Sequence, residues 1–160
     1  MGKSKTPVTP AIRALRAAGV AFEPREYDYV EKGGTRHSSA ELGVDEHHVI
    51  KTLVMEDETT KPLIVLMHGD AQVSTKSLAR HLGVKRIEPC TPQVAQRHTG
   101  YQVGGTSPFG IRTAMPIYMQ RTIAALDTVC INGGKRGLLV QMAAADIVAV
   151  LSPELVDVVA

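Results

Sequence analysis

Apolar residues recur at Ile12, Leu15 and Ala18 behind Thr9-Pro10, the stripe of a helix with Thr9 as N-cap, Pro10 in its first turn and Gly19 closing it. Val20 to Tyr29 alternates loosely, with Phe22 and Tyr27 on opposite parities, and predicts a strand interrupted early by Pro24. Lys32 to Thr35 is a glycine turn. Ser38 and Glu41 have capping-box spacing for a short helix over SSAELG, and Asp45 opens another helical turn through His48. Val49 to Glu56 and Pro62 to His68 are β-rich runs separated by the charged segment DETTK, which predicts a hairpin at the centre of a sheet. A helix over SLARHLG, a short strand over KRIE and a helix opened by Thr91-Pro92 follow. Thr113 to Met119, Thr128 to Ile131 and Leu138 to Met142 have strand character, Ala143 to Leu151 that of a helix, and Ser152-Pro153 starts a last short helix. Hairpin-like strands with peripheral helices predict an α/β domain of the α+β type, with no repeat or linker dividing it.

Composition narrows this picture. A chain of 160 residues that is 44% hydrophobic can bury one substantial core and is short for two, so a single domain is expected over residues 9–160 behind a flexible leader, residues 1–8. A net charge of +2 argues against gripping long nucleic acid by its phosphates alone and leaves room for a local basic patch. Cys90 and Cys130 are too few for a disulfide framework or a paired-cysteine zinc site, which fits a reducing cytoplasm. No run approaches about 18 apolar residues and the first ten residues lack a signal-peptide core, so neither membrane insertion nor export is expected. Met1-Gly2 with Thr6 loosely fits an acylation pattern, while Lys3 and Lys5 favour an ordinary leader.

Three stretches carry candidate chemistry. Thr99 to Gly110, TGYQVGGTSPFG, has glycines at 100, 104, 105 and 110 and a Ser107-Pro108 turn, so its backbone could approach a ligand or form a long irregular connection. Lys51 lies in VIKTLVM with apolar residues on both faces of the predicted strand, and must snorkel, find partners or lose part of its basicity. Gly133 to Gly137, with Lys135 and Arg136, could wall an anion site or be a solvated hairpin turn, and Asn132 adds a polar group at its start. Neither stretch is a P-loop or a dinucleotide fingerprint. Ser107 lacks a GxSxG context and a local histidine, and Cys90 and Cys130 lie in packing contexts. His37, His47, His48, His68, His81 and His98 show no HxxxH spacing, so no metal is expected. Tyr27 and Tyr101 could be core aromatics with a polar tip or hydroxyls facing a pocket.

The chain resembles the YbaK/EbsC and prolyl-tRNA-synthetase-associated editing domains, nearest to those acting on Cys-tRNA(Pro) in bacteria. The resemblance rests on KTL at Lys51 to Leu53, VAQRHTGYQVGGTSPFG from Val94 to Gly110, GGKRG from Gly133 to Gly137, and the amino-terminal TPAIRALRAAGVAFEPREYDY. It spans about Thr9 to Leu151, with the blocks in family order. It implies a single domain with a mixed, largely antiparallel, barrel-like sheet and peripheral helices. It also implies hydrolytic removal of cysteine misattached to tRNA(Pro), without a cofactor. Its expected partners are the acceptor end of an aminoacyl-tRNA and prolyl-tRNA synthetase. Such editing serves a synthetase that cannot reject a similar-sized amino acid when discrimination amounts to about 1–3 kcal/mol.

By the resemblance, Lys51 is the essential lysine and Gly104, Gly105 and Ser107 form the backbone cradle of the ester. Tyr27, Thr52, Tyr101, Thr106, Pro108, Asn132, Gly133, Gly134, Lys135 and Arg136 are the substrate-binding positions. In the cysteine-specific branch the substrate's own thiol attacks the ester and leaves as a cyclic thioester, so no enzyme nucleophile is needed. Lys51 then binds the terminal adenosine or its ribose and phosphates and orients the ester. Relatives often carry serine before GGKRG and an acid two residues after it, where this chain has Asn132 and Leu139. The competing expectations are a non-catalytic module binding tRNA or the synthetase, and a deacylase for another amino acid such as alanine.

Overall fold

The computed structural model describes residues 7–160; the expected acylation pattern and most of the leader lie outside them. Helices are α1 (Pro10–Ala17), α2 (Gly34–Leu42), α3 (Thr75–Leu82), α4 (Pro92–Thr99) and α5 (Ala144–Leu151). Strands are β1 (Phe22–Glu26), β2 (Val49–Asp57), β3 (Pro62–His68), β4 (Ile87–Pro89), β5 (Ile117–Gln120), β6 (Thr128–Lys135), β7 (Leu138–Ala143) and β8 (Glu154–Val156), with single 3-10 turns at Glu46–His48 and Arg121–Ala125. They form one mixed sheet in the order β1-β7-β6-β2-β3-β5-β8, with β4 added to β2. The β2–β3 hairpin at its centre is antiparallel, while β2–β6, β3–β5 and β5–β8 are parallel.

Local chemistry explains most helix starts. Thr9 and Thr91 each accept an amide from the first turn and are followed by proline, whose missing N–H costs a helix nothing there. Asp45 caps the turn at Glu46–His48 by accepting from the His47 amide. The capping box expected at Ser38 and Glu41 does not form. Helix α2 begins earlier, at Gly34, and the buried Ser38 and Ser39 hydroxyls donate back to the carbonyls of Thr35 and Arg36 at 3.3 and 3.0 Å. Residues 113–116 precede β5 without strand pairing. The helix expected after Ser152-Pro153 is instead β8, whose residues pair with Tyr118 to Gln120 at the sheet edge and bury Val156. β6 runs on through Lys135, so the GGK of the expected turn lies in a strand with an irregular register between Asn132 and Lys135. Pro24 sits in β1, an end strand of the sheet where proline is tolerated.

Alternation along the strands divides the core between two faces. On one, Ile50, Val54, Ile64, Leu66, Ile131 and Val140 pack beneath Ile12 and Leu15 of α1 and Ile147 of α5, with Tyr101 and Phe109 in the same cluster. The other face carries two smaller clusters. Met55, Leu63, Val65 and Met67 meet α3, while Val49, Cys130 and Leu139 meet Tyr27, Leu42 and Val44. Lys51 falls on this second face between Val49 of one cluster and Met55 of the other. That gap is where a polar chain can stand on an otherwise apolar sheet.

Candidate functional site

The glycine loop is held by its own residues. Helix α4 ends at Gly100 in the left-handed conformation, where its N–H bonds the Gln96 carbonyl at 2.7 Å. Thr99 Oγ1 accepts from the Tyr101 amide at 3.1 Å, the Tyr101 hydroxyl donates to the Phe109 carbonyl at 2.5 Å, and the Phe109 amide donates to Ser107 Oγ at 3.2 Å. Ser107 is fully buried and Tyr101 nearly so, which places both side chains inside the loop. Burial pushes the Tyr101 phenol up to about 12. The Thr106 hydroxyl donates to the Gln102 carbonyl at 3.2 Å, and the Gly105 amide reaches the same carbonyl at 2.9 Å. Gly105 was expected to offer its amide to the ester; with that N–H engaged, its contribution is the absent side chain. Among the described residues the amides of Gly104 and Ser107 have no protein hydrogen-bond partner.

The second glycine stretch closes against this loop. Asn132 Oδ1 accepts from the amides of Gly134 and Lys135 at 2.7 and 3.3 Å, and its Nδ2 donates to the Gly104 carbonyl at 3.1 Å. Arg136 Nε donates to the Val103 carbonyl at 2.9 Å, and its guanidinium carbon lies 5.1 Å from the centre of the Tyr29 ring. Thr9 joins in from α1, donating to the Gly133 carbonyl at 2.6 Å. The backbones approach so closely that a Cβ on Gly105 would lie 2.7 Å from the Arg136 nitrogen and 2.9 Å from the Lys135 carbonyl carbon. Between the two turns is a cavity of about 260 Å³ lined by Gly100, Tyr101, Gln102, Gly105, Gly134, Lys135 and Arg136. Its lining combines three glycines with Tyr101, Gln102 and two exposed cations. Such a surface suits an anionic or ester-bearing ligand. Pro108 faces a second, more apolar cavity of about 490 Å³ beside Phe109, Arg112 and Met115.

Lys51 stands beside this arrangement. The parallel pairing of β2 with β6 ends at Val49–Cys130 and Ile50–Ile131, and the next residues, Lys51 and Asn132, continue on the sheet face of Val49 and Cys130. Lys51 is half-buried and does not line the smaller cavity; its Nζ donates to the Ala71 carbonyl at 2.5 Å. Burial lowers its basicity below the ordinary lysine value, and the carboxylates of Glu46 and Asp70 oppose that shift. Tyr27 packs on the same cluster, its amide bonded to the Gly137 carbonyl at 2.9 Å, and burial raises its phenol. Thr52 turns to the opposite face, where its hydroxyl oxygen is buried with no hydrogen-bond partner among the described residues.

Three contributors escaped the sequence reading: Tyr29 beneath Arg136, Thr9 against Gly133, and Gln102 as acceptor of two bonds within the loop. Tyr29 carried a signal, two residues from Tyr27 in the same segment; Thr9 was legible only as a cap. The thiols are poor nucleophiles as placed. Burial and the neighbouring Glu56 push Cys90 up to about 12, and burial raises Cys130. Among the described residues no three His, Cys, Asp or Glu side chains gather as metal ligands would.

Residues 34–150 match the model of the aminoacyl-tRNA editing domain family. A candidate Cys-tRNA(Pro)/Cys-tRNA(Cys) deacylase of Enterococcus faecalis, EbsC, is 28% identical over 160 aligned residues, which cover 99% of this chain and 98% of that one. The proline–tRNA ligase of Thermodesulfovibrio yellowstonii is 30% identical over 110 residues, 69% of this chain and 18% of the ligase. Among solved structures, a candidate trans-editing enzyme for prolyl-tRNA synthetase superposes with a TM-score of 0.83 at 20% identity, covering 96% of this chain and 99% of that one. A hypothetical protein, APE2540, superposes with a TM-score of 0.86 at 20% identity over 95% of this chain and all of that one. The family match takes in β2 with Lys51 and both glycine turns, and the chain belongs to the aminoacyl-tRNA editing domain family.

Proposed function

We propose that this protein is a cytoplasmic trans-editing deacylase that removes misattached cysteine from tRNA(Pro). The observation that carries the reading is the Asn132 bridge, which closes two glycine turns on one small polar cavity next to the end of β2 that bears Lys51. A cavity of about 260 Å³ has room for an aminoacyl ester and little more. The exposed Gly104, next in sequence to the cavity-lining Gly105, carries a free amide suited to a developing oxyanion, since a main-chain N–H fixed in place needs no reorganisation as charge forms, whereas Ser107 is buried away from the cavity. Lys135 and Arg136 at the rim suit the phosphates of an acceptor end. Lys51, with one ammonium hydrogen on Ala71 and two remaining, suits the terminal ribose or a phosphate oxygen, orienting the ester for attack.

In this reading the cysteine thiol, having given up its proton, attacks the ester carbonyl and the carbon–oxygen bond to the ribose breaks. The ribose oxygen takes up a proton and the amino acid departs as a cyclic thioester. The placement of the candidate nucleophiles among the described residues supports that route: Ser107 Oγ is buried against the Phe109 amide and both thiols are raised by burial. Near-neutral charge fits a domain that touches only the acceptor end and gains further affinity from a prolyl-tRNA synthetase partner.

The test is deacylation of Cys-tRNA(Pro), Ala-tRNA(Pro) and Pro-tRNA(Pro) by the wild-type chain and by Lys51→Ala. Release of cysteine that Lys51→Ala loses supports the reading, together with recovery of the cyclic thioester. Equal hydrolysis of a serine-charged tRNA removes the thiol route. Tight binding without release from any mischarged tRNA marks a non-catalytic module and overturns the proposal.

A further inference from the structure

Lys51 is aimed by one main-chain atom, the Ala71 carbonyl, and that atom belongs to a turn fixed from several sides. The Gly69 amide donates to the Val49 carbonyl at 2.7 Å, and the Ala71 amide donates to the His68 carbonyl at 3.1 Å. The Thr35 hydroxyl shares its hydrogen between Glu46 Oε2 at 2.8 Å and the Gly69 carbonyl at 3.1 Å. No side chain fits at Gly69, where a Cβ would lie 2.7–2.8 Å from the Glu46 carbonyl, Thr35 Oγ1 and the Val49 carbonyl. Asp70, at the centre of the turn, receives His47 Nδ1 on both carboxylate oxygens, at 3.0 and 3.2 Å.

The His47 ring is itself placed. It stacks on His68 with centroids 3.8 Å apart and planes 5° apart. His68 is buried, with Nδ1 2.8 Å from the His47 carbonyl and Nε2 2.7 Å from Thr122 Oγ1. A carbonyl only accepts, so Nδ1 carries the hydrogen and the neutral ring accepts the Thr122 hydroxyl at Nε2. His47 and Asp70 are both near half exposed, so their pair contributes little to stability. Its position suits another task. Asp70 and Glu46 face the Lys51 ammonium electrostatically, and His68, His48 and Asp70 are the titratable groups around the His47 ring.

We propose that Asp70 and His47 are positioning residues for Lys51, locking the Gly69–Ala71 turn so that its carbonyl takes one ammonium hydrogen and leaves two for the substrate. This rests on the deacylase reading for the substrate's identity and on geometry alone for the clamp. The test reads the clamp without relying on turnover: acetylation of Lys51 Nζ by a small activated ester, followed residue by residue by mass spectrometry across pH, with Lys135 as internal control. Asp70→Asn removes a carboxylate facing the ammonium, and Lys51 labelling near neutral pH is expected to rise about threefold to tenfold while Lys135 stays unchanged. Asp70→Glu restores the wild-type rate. His47→Gln keeps the carboxylate but removes its holder, and raises Lys51 labelling about twofold or more by freeing the turn. In parallel, kcat/KM on Cys-tRNA(Pro) is expected to fall about tenfold in Asp70→Asn. Lys51 labelling equal to wild type in Asp70→Asn and in His47→Gln overturns the proposal, whatever deacylation does. Changed labelling in a protein that releases no amino acid from any mischarged tRNA supports the clamp and overturns the deacylase reading.

Discussion

Thr52→Val tests the packing beside the proposed site with a change of almost no volume. Thr52 lies in the central hairpin opposite Leu66, between Ile50 and Val54, and its hydroxyl oxygen is buried without a hydrogen-bond partner among the described residues. An unsatisfied buried hydroxyl costs about 1–3 kcal/mol, and replacing it by a methyl removes that cost. The methyl also adds about 0.8 kcal/mol of apolar burial. Folding should therefore gain about 2–4 kcal/mol, a midpoint rise of about 2–4 °C per kcal/mol for a chain of this size. Thr52→Ser keeps the hydroxyl and deletes the methyl, so it should lose about 1 kcal/mol. Urea unfolding of the three proteins measures both differences, with equal m-values as the check that only the folded state changed. Destabilisation by Thr52→Val of about 1 kcal/mol or more would refute the reasoning, because the hydroxyl would then be satisfied in solution. A stabilised Thr52→Val that deacylates poorly would show the hydroxyl kept for its ligand at the expense of the fold.

Other expectations follow from single contacts. Gly105→Ala places a methyl against the backbone at Lys135 and Arg136, so it should open the two turns and cut activity far more than it lowers the unfolding midpoint. Tyr101→Phe leaves the buried Phe109 carbonyl without its donor and should cost about 1–3 kcal/mol in urea unfolding. Because the folded Tyr101 phenol is held at about 12, above the ordinary value of 10, the protein should also lose stability as pH climbs from about 10 to about 12. Burial lowers His68 below 6.5, so as pH falls through that value the unfolded chain takes the proton first. The His68 contribution should be constant above about pH 7 and decline below about 6.5, and His68→Gln should flatten that slope in denaturant titrations at several pH values.

The parts of the fold written in short spans of sequence were legible. The Thr9-Pro10 and Thr91-Pro92 caps and the Val49 to His68 hairpin depend on residues a few places apart. The sheet order was not legible, because β2 meets β6 in parallel through only two residue pairs and the intervening chain passes through five further helices and strands. β8 shows the same limit: Ser152-Pro153 reads as a helix start, and pairing with β5 overrides it. The missing capping box at Ser38 has a tertiary cause. Beginning α2 at Gly34 puts Thr35 within reach of Glu46 and Gly69, contacts that no local pattern encodes.

For the site, residue types located the three stretches, but main-chain acceptors set how they join. Nothing in the sequence tells that Lys51 donates to Ala71 or that Arg136 is held by Val103 and Tyr29. Asn132 and Leu139, where the resemblance led to an expectation of serine and an acid, are cross-strand partners on β6 and β7. Their chemistry is therefore linked. Asn132 spends its carbonyl on Gly134 and Lys135 and its amide on Gly104, a reach that one serine hydroxyl with a single hydrogen could not match. With the amide turned to the loops, the opposite position has no polar partner left. Leu139 is accordingly buried with Val49 and Cys130, where an unpaired carboxylate would be costly. A carboxylate restored at 139 alone should lose stability, and one restored together with serine at 132 should recover part of it, because the two positions face each other as a unit.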